Sequence, residues 1–336
     1  MTVIVPTLEG GENLRQCLAA LRAQTFADSE VVVVDNSGRG VARAPAAEAG
    51  ARVIENGENV GFGAAINQGI EAAPAEFVCT LNDDAVPDPR WLEELVQACR
   101  RDGSVGMCAS QIRLAESPDR LDSAGMQIYP DGSSKQRGWM APVAAFNAPE
   151  EVLFPSACAA LYRSTMLERV GQFDPDFFLY CEDTDLGLRA RRAGWRCVYV
   201  PSAVVYHHYS VSAGRASTTK AFYVERNRGY VAVKNFPAWI WPAVPLFSLA
   251  RYAMHFWGLI TGRGLAAEFR RGDEKWWKLA IIVLLANFQV LAALPGLLAK
   301  RRRARRNRAL SGWAFWRLLR RHSITARELT LQGGKQ

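Results

Sequence analysis

The chain has 336 residues, 49% of them apolar, and a formal charge of +8. This composition supports a real core and excludes a disordered chain, and the length suits one large domain or two ordinary ones. Seven of the positive charges lie in one stretch, Lys300 to Arg308, so the basic character is a local patch suited to an anionic surface rather than a property of the whole chain.

In chain order, Thr2 to Val5 reads as a buried strand ending at Pro6, followed by the polar loop Thr7 to Asn13. Leu14, Leu18 and Leu21 recur at helical spacing. Glu30 to Val34 is a second strand, closed by Asp35-Asn36-Ser37-Gly38, and Val53-Ile54 is a short third. Asn59 to Ile70 opens a helix that carries Asn67. Glu76 to Leu81 is a fourth strand ending at Asn82-Asp83-Asp84, and Pro87 and Pro89 start a helix with Trp91, Leu92, Leu95 and Val96. Strands alternating with helices at short spacing predict an α/β fold with a mostly parallel sheet flanked by helices. In such sheets ligands bind beyond the carboxyl ends of the strands, where Thr7, Glu9, Asp35, Asn36, Asp83 and Asp84 fall. Asp and Asn are also ordinary turn formers, so each position alone is weak and only their recurrence at three strand ends suggests a nucleotide pocket.

Residues 104–150 are rich in Gly, Ser, Pro and Asp and read as a surface excursion, with an antiparallel hairpin near Met126 to Tyr129. Phe154 to Tyr162 returns to the core, and Leu167 to Gly171 ends a helix. An acidic cluster follows, Glu182, Asp183 and Asp185, between the aromatics Phe177, Phe178 and Tyr180 and the cations Arg189, Arg191 and Arg192. A carboxylate desolvated among aromatics can be tuned as a base. Val198 to Tyr206 is another strand, and it delivers His207 and His208, either of which could reach a metal.

From about residue 236 the composition changes, which divides the chain into 1–235 and a C-terminal helical region, 236–336. Phe236 to Ile260 holds three tryptophans and three prolines with Arg251 as its one charge, and Leu279 to Ala299 is uncharged. Asn287, Gln289 and Pro295 interrupt the second run, and tryptophans beside cations suit headgroup depth. Apolar and basic helices lying on an anionic membrane surface are expected, rather than two full spans; the alternative is a soluble helical appendage. The seven cysteines show no CxxC pair, and no signal peptide is visible, which points to reduced thiols in a cytosolic setting.

The ordered segments Val5-Pro6-Thr7-Leu8-Glu9, Val34-Asp35-Asn36, Asn59 to Gly69, Leu81-Asn82-Asp83-Asp84, Phe173 to Gly194 with Tyr180, Glu182, Asp183 and Asp185, and His207-His208 resemble an inverting family 2 glycosyltransferase of the rhamnosyltransferase-like kind. The resemblance covers roughly residues 2–235. It implies a GT-A-like glycosyltransferase fold and transfer of a sugar from a nucleoside diphosphate to an acceptor hydroxyl. Nucleotide contacts are implied for Pro6, Thr7, Glu9, Asp35, Asn36, Asn59, Asn67 and Asp83. The usual Asp-x-Asp motif appears here as Asn82-Asp83-Asp84, which leaves Asp84 as the metal ligand for Mn²⁺ or Mg²⁺, joined by His207 or His208. Asp183 is the implied base, with Glu182 as the alternative. The expected partners are a nucleoside-diphosphate sugar, a glycan or lipid-linked acceptor and the cytoplasmic face of the cell membrane. Nucleic acid is not expected, because the 300–308 patch lacks an aromatic platform. A nucleotidyltransferase on sugar phosphates is the alternative enzyme; against it, Gly10-Gly11 has no neighbouring Lys.

Overall fold

The computed structural model describes residues 1–208, 217–264 and 277–331. The chain divides into two compact units, Met1–Met126 with Gln136–Ser212, and Gln127–Lys135 with Ala213–Gln336. Helix α7 (Thr218–Asn235), on the N-terminal side of the boundary expected at residue 235, belongs to the second unit.

Valine-rich segments build one half of the first unit's sheet. Strands β1 (Thr2–Thr7), β2 (Glu30–Asp35), β3 (Arg52–Glu55) and β4 (Phe77–Leu81) lie side by side in the order β4-β1-β2-β3, all parallel. β1 and β4 are buried along their whole length, as a strand covered on both faces requires. The connections are α1 (Gly11–Arg22), α2 (Arg43–Ala49) and α3 (Phe62–Ala72). On α1 the helical spacing places Leu14, Cys17, Leu18 and Leu21 in the core. Pro6 does not end β1, which continues to Thr7. The pairing with β4 stops at Ile4, while that with β2 runs on to Thr7. The missing N–H of Pro6 therefore lies beyond the end of the ladder with β4.

The other half comprises β5 (Ala85–Pro87), β6 (Val105–Leu114), β7 (Ser117–Ser123), β10 (Glu150–Glu151), β11 (Ala159–Arg163) and β12 (Arg196–His207). Strands β8 (Met126–Ile128) and β9 (Ser134–Gln136) form a separate ribbon. The main order is β10-β12-β6-β11-β4-β1-β2-β3, with β5 on β12 and β7 on β6. β11 runs antiparallel to both β4 and β6, so the sheet is mixed beyond its parallel half. The expectation of a surface excursion over 104–150 fails at its start, because β6 is an interior strand with nine of its ten residues buried. Gly106, Ser110 and Gln111 disguise it; Ser110 is buried as the acceptor for the Trp91 indole N–H, 2.8 Å away.

Helix α4 (Trp91–Arg100) buries Trp91, Leu92, Leu95, Val96 and Cys99, which pack with β-strand residues in one cluster. Helix α5 (Ser164–Val170) precedes the acidic segment, which forms the first turn of α6 (Glu182–Arg192). Arg189 ties them together: it pairs with Asp185 at 2.8 Å and donates to the carbonyls of Val170, Gly171 and Gln172 at the end of α5. Asp185 is thereby a buried structural anion.

The second unit contains α7, α8 (Val244–Thr261) and the helices Lys278–Ala292, Leu294–Arg305, Gly312–Arg321 and Ala326–Leu331. Buried Asp131 accepts from Arg251 Nε at 2.7 Å, and Arg251 reaches Glu225 Oε2 at 2.8 Å. Arg228 and Tyr252 also bind Glu225, which draws α7, α8 and the 127–135 turn around one ion cluster. Arg301, within the basic run, is not on the surface: its Nη1 donates to the carbonyls of Val233 and Phe236 at 2.8 and 2.6 Å, satisfying the end of α7. Among the described residues no single helix is long and apolar enough to cross a membrane; the pair Lys278–Ala292 and Leu294–Arg305 has that composition together but is bent by 60°.

Candidate active site

The parallel strands carry the first part of the site. In the β1/β2 register Thr7 lies directly opposite Asp35, and Asn36 N–H donates to Thr7 O at 2.8 Å. The Thr7 hydroxyl donates to Asp83 Oδ2 at 2.5 Å and accepts from Gly10 N–H at 3.0 Å. Three strand ends are thus tied into one acidic rim. Burial, reinforced by neighbouring Asp84 and opposed by the Thr7 hydroxyl, pushes Asp83 up to about 6. Asp35 shifts the other way: burial raises it, but donors from Ser37 and the Ala42 N–H outweigh that and hold it below its usual value. Asn36 contacts Gly61 O and accepts from Asn56, which is itself paired with Gln68.

Some expected nucleotide residues stand elsewhere. Glu9 is exposed and 3.4 Å from Arg39. Asn59 is exposed, with its side chain folded onto the Gly61 N–H at 2.9 Å, where it starts α3. The Asn67 amide is taken at both ends by the Phe173 backbone, at 2.8 and 3.1 Å, so it clamps α3 to the segment that leads into the acidic cluster. Gly61, with φ of +87°, completes that seam: a Cβ there would lie 2.5 Å from Phe178 O. Phe62 N–H donates to the same carbonyl at 2.8 Å.

The second part comes from β5 and β12. β5 follows Asp84 directly and pairs antiparallel with the end of β12, Ala85 opposite His207. This register brings the acidic turn to the histidines. His207 Nε2 lies 3.2 Å from Asp84 Oδ1. The adjacent His208 instead donates its backbone N–H to Asp84 O at 2.9 Å. Successive extended residues face opposite sides, so the geometry brings His207, not His208, to the carboxylate. On its other side His207 Nδ1 is 2.6 Å from Asp122 Oδ2 of β7, a residue the sequence did not single out. Burial alone would lower the His207 pKa; the Cys158 sulfur, Asp122 and Asp84 outweigh it and hold it well above the usual value.

The third part is the start of α6. Phe178, Tyr180 and Cys181 have φ of 61, 68 and 66°. For non-glycine residues this costs about 1–2 kcal/mol each, a strain that concentrates at functional sites. Asp183 accepts from Thr184 N–H at 2.6 Å, the Thr184 hydroxyl at 3.2 Å and Ala157 N–H at 3.3 Å. Burial raises its pKa against these donors. Glu182 is more buried, 7% exposed, and its Oε2 has no hydrogen-bond partner. Burial and then the Asp183 charge push it up to about 8, so Glu182 holds its proton far more firmly than an ordinary carboxyl.

One short turn joins the second and third parts. Ala157 N–H reaches Asp183, while the next residue, Cys158, accepts Asn82 N–H at 2.8 Å and places its thiol against His207. Asp84, His207 and Asp183 are therefore assembled around one dipeptide.

Asp84 and His207 have the donor chemistry of a divalent-cation site. Asp84 is 6% exposed, and its Oδ1 has no hydrogen-bond partner although His207 Nε2 is close by. A hard carboxylate oxygen and an imidazole nitrogen suit Mn²⁺ or Mg²⁺. Among the described residues no group of three His, Cys, Asp or Glu side chains could hold a metal, so a cation here would take this pair and complete its shell with other oxygens.

The model of the family "Glycosyl transferase family 2" matches residues 2–171. An N-acetylglucosaminyl-diphospho-decaprenol L-rhamnosyltransferase of Mycobacterium tuberculosis is 30% identical over 252 residues, covering 64% of this chain and 78% of that protein. The pre-mycofactocin glycosyltransferase of the same species is 28% identical over 287 residues, 80% of this chain and 58% of that one. Among solved structures, GalNAc-T7 with UDP, GalNAc and Mn²⁺ superimposes with a TM-score of 0.60 at 14% identity, over 75% of this chain and 50% of that one. The mannosyltransferase PcManGT of Pyrobaculum calidifontis with GDP-Man and Mn²⁺ gives 0.52 at 19% identity, over 86% of each chain. At such identities the structures show the fold alone, that of GT-A glycosyltransferases. Nothing in these comparisons favours a nucleotidyltransferase. With its family model spanning the parallel half of the sheet and the acidic rim, the chain belongs to glycosyl transferase family 2.

Proposed function

We propose that this glycosyltransferase inverts the anomeric centre of a nucleoside-diphosphate sugar and delivers the sugar to a hydroxyl of a glycan or lipid-linked acceptor, with Asp183 as the base. The observation that carries this reading is the junction at Ala157 and Cys158, where one residue holds the Asp183 carboxylate and the next meets the His207 imidazole and the Asn82 N–H. Names of relatives support the acceptor class, since one acts on a diphospho-decaprenol sugar.

Thr7, Asp35, Asn36 and Asp83 offer the base and ribose of the donor a rim of acceptors and amides. Asp84 and His207 would hold the divalent cation. Such a cation supplies Lewis-acid stabilisation of the charge that builds on the departing diphosphate. Asp183 takes the acceptor's hydroxyl proton as that oxygen bonds to the anomeric carbon, and the bond to the diphosphate oxygen breaks on the opposite face. General-base assistance of this kind contributes about 10²–10⁴-fold. Glu182 does not compete for the proton, because at neutral pH it mostly keeps its own.

A membrane surface is proposed as the place of action. All but two of the exposed large apolar side chains among the described residues belong to the second unit, including Leu246, Phe256, Leu284, Phe288, Leu291 and Trp313. Such a concentration marks an interaction face, and the basic run that follows these helices suits anionic headgroups. Seven free cysteines, six of them buried, fit a reducing compartment and so the cytoplasmic face.

The test is a panel of nucleotide sugars with Mn²⁺, Mg²⁺ or chelator, scoring nucleoside diphosphate release and the product's anomeric configuration. Cation-dependent release with an inverted product is expected. Retention of configuration, or pyrophosphate release from a nucleoside triphosphate, would refute the proposal.

A further inference from the structure

Two carboxylates flank one imidazole, and the proposed cation site uses one of them. The other, Asp122, stands where the β6/β7 register slips: Ser123 lies opposite Ile112, but Leu121 opposite Arg113. β7 thus advances two residues while β6 advances one, and Asp122 is the extra residue. A bulge of this kind re-aims a side chain, often beside an active site. Here Asp122 is 3% exposed and its Oδ2 lies 2.6 Å from His207 Nδ1.

Binding a cation displaces a proton from the imidazole; with Nδ1–H donated to Asp122, the nitrogen that gives up its proton and turns its lone pair to the metal is Nε2. Nε2 lies 3.2 Å from Asp84 Oδ1. Two cis ligands at about 2.1 Å from an octahedral cation are about 3.0 Å apart. The spacing is therefore one at which a single cation can bridge both atoms.

We propose that Asp122 is a positioning residue for the cation site, holding His207 in the Nδ1–H tautomer so that Nε2 is aimed at the metal beside Asp84. The inference rests on the cation use proposed above but adds a residue outside the ligand pair. Outer carboxylates of this kind set metal affinity, and their loss typically costs about 10–100-fold.

The experiment is Mn²⁺ titration of the full chain, followed by the electron paramagnetic resonance of free Mn²⁺, for wild type and for Asp122→Ala, Asp122→Asn and Asp122→Glu. Asp122→Ala should bind Mn²⁺ about 10–100-fold more weakly, and Asp122→Glu should recover part of the loss. In the Mg²⁺-loaded wild type, nitrogen NMR should show His207 protonated at Nδ1. Melting in metal-free buffer checks folding, and the isosteric Asp122→Asn carries the test if Asp122→Ala does not fold. A folded variant with wild-type Mn²⁺ affinity would overturn the role of Asp122 and leave the cation proposal standing. A wild-type chain that binds no Mn²⁺ would overturn both.

Discussion

The two units leave opposite things unsatisfied. In the first, three buried carboxylates, Asp84, Asp122 and Glu182, each keep one oxygen without a hydrogen-bond partner, and the single imidazole of His207 stands between the first two. In the second, the buried acids Asp131 and Glu225 are both engaged by Arg251 and Arg228, while large apolar side chains stand in solvent. An orphaned buried carboxylate costs stability unless a cation or proton answers it, and an exposed apolar face costs stability unless another surface covers it. The difference fits the two partners proposed above: a charged small ligand for the first unit, an apolar and anionic surface for the second.

That contrast can be broken in several ways. The largest effect is expected in the second unit's ion cluster. Arg251→Met leaves Arg228 as the one cation paired with both Asp131 and Glu225, and should cost about 3–5 kcal/mol in denaturant unfolding. A loss below about 1 kcal/mol, the scale of an exposed pair, would mean the cluster is not a buried network. Next comes the apolar face. Leu284 and Phe288 are 71% and 69% exposed. At about 1.5–3 kcal/mol per side chain immersed, the double change Leu284→Glu, Phe288→Glu should weaken binding to anionic vesicles by about 10²-fold or more in flotation. Unchanged flotation would remove these helices from the contact.

A smaller, pH-dependent effect belongs to the first unit. Glu182 is raised from an ordinary 4.5 to about 8, so the folded state holds a proton that the unfolded state releases. Its contribution to stability is full below pH 4.5 and is lost as pH rises toward 8. Glu182→Gln cannot ionise, so the stability gap between variant and wild type should widen from pH 4.5 to about 8 and level off above, in paired melts across pH. A gap that does not change with pH would show that Glu182 is ionised throughout. The smallest effect expected is on turnover: at neutral pH Glu182→Gln should transfer sugar close to the wild-type rate, measured as nucleoside diphosphate release.

Much of the site was legible because strand ends are. Thr7, Asp35, Asn36, Asp83 and Asp84 follow from the rule that α/β sheets bind ligands beyond their carboxyl edges, and they cluster there. The choice between His207 and His208 was not legible, because it depends on how β5 pairs with β12, and pairing has no local signature. Asp122 was hidden for a related reason: its orientation comes from a register slip that only the neighbouring strand defines. The bonds of Asn67 to the Phe173 backbone were not legible, since nothing in its own segment reveals Phe173 across the fold. The parallel strands were read from their valines, whereas β6, with Gly106, Ser110 and Gln111 inside the core, read as loop. In the second unit, the basic run was legible as charge but not as structure, for Arg301 spends its guanidinium on the end of α7.

The division of labour between two adjacent carboxylates is the most exposed claim. Sugar transfer by Asp183→Asn and Glu182→Gln should be compared at saturating donor and cation, with donor affinity measured on the same preparations. The expected result is a loss of about 10²–10⁴-fold in turnover for Asp183→Asn with donor binding kept, and near wild-type turnover for Glu182→Gln. If Asp183→Asn transfers sugar normally and Glu182→Gln does not, the base has been assigned to the wrong residue.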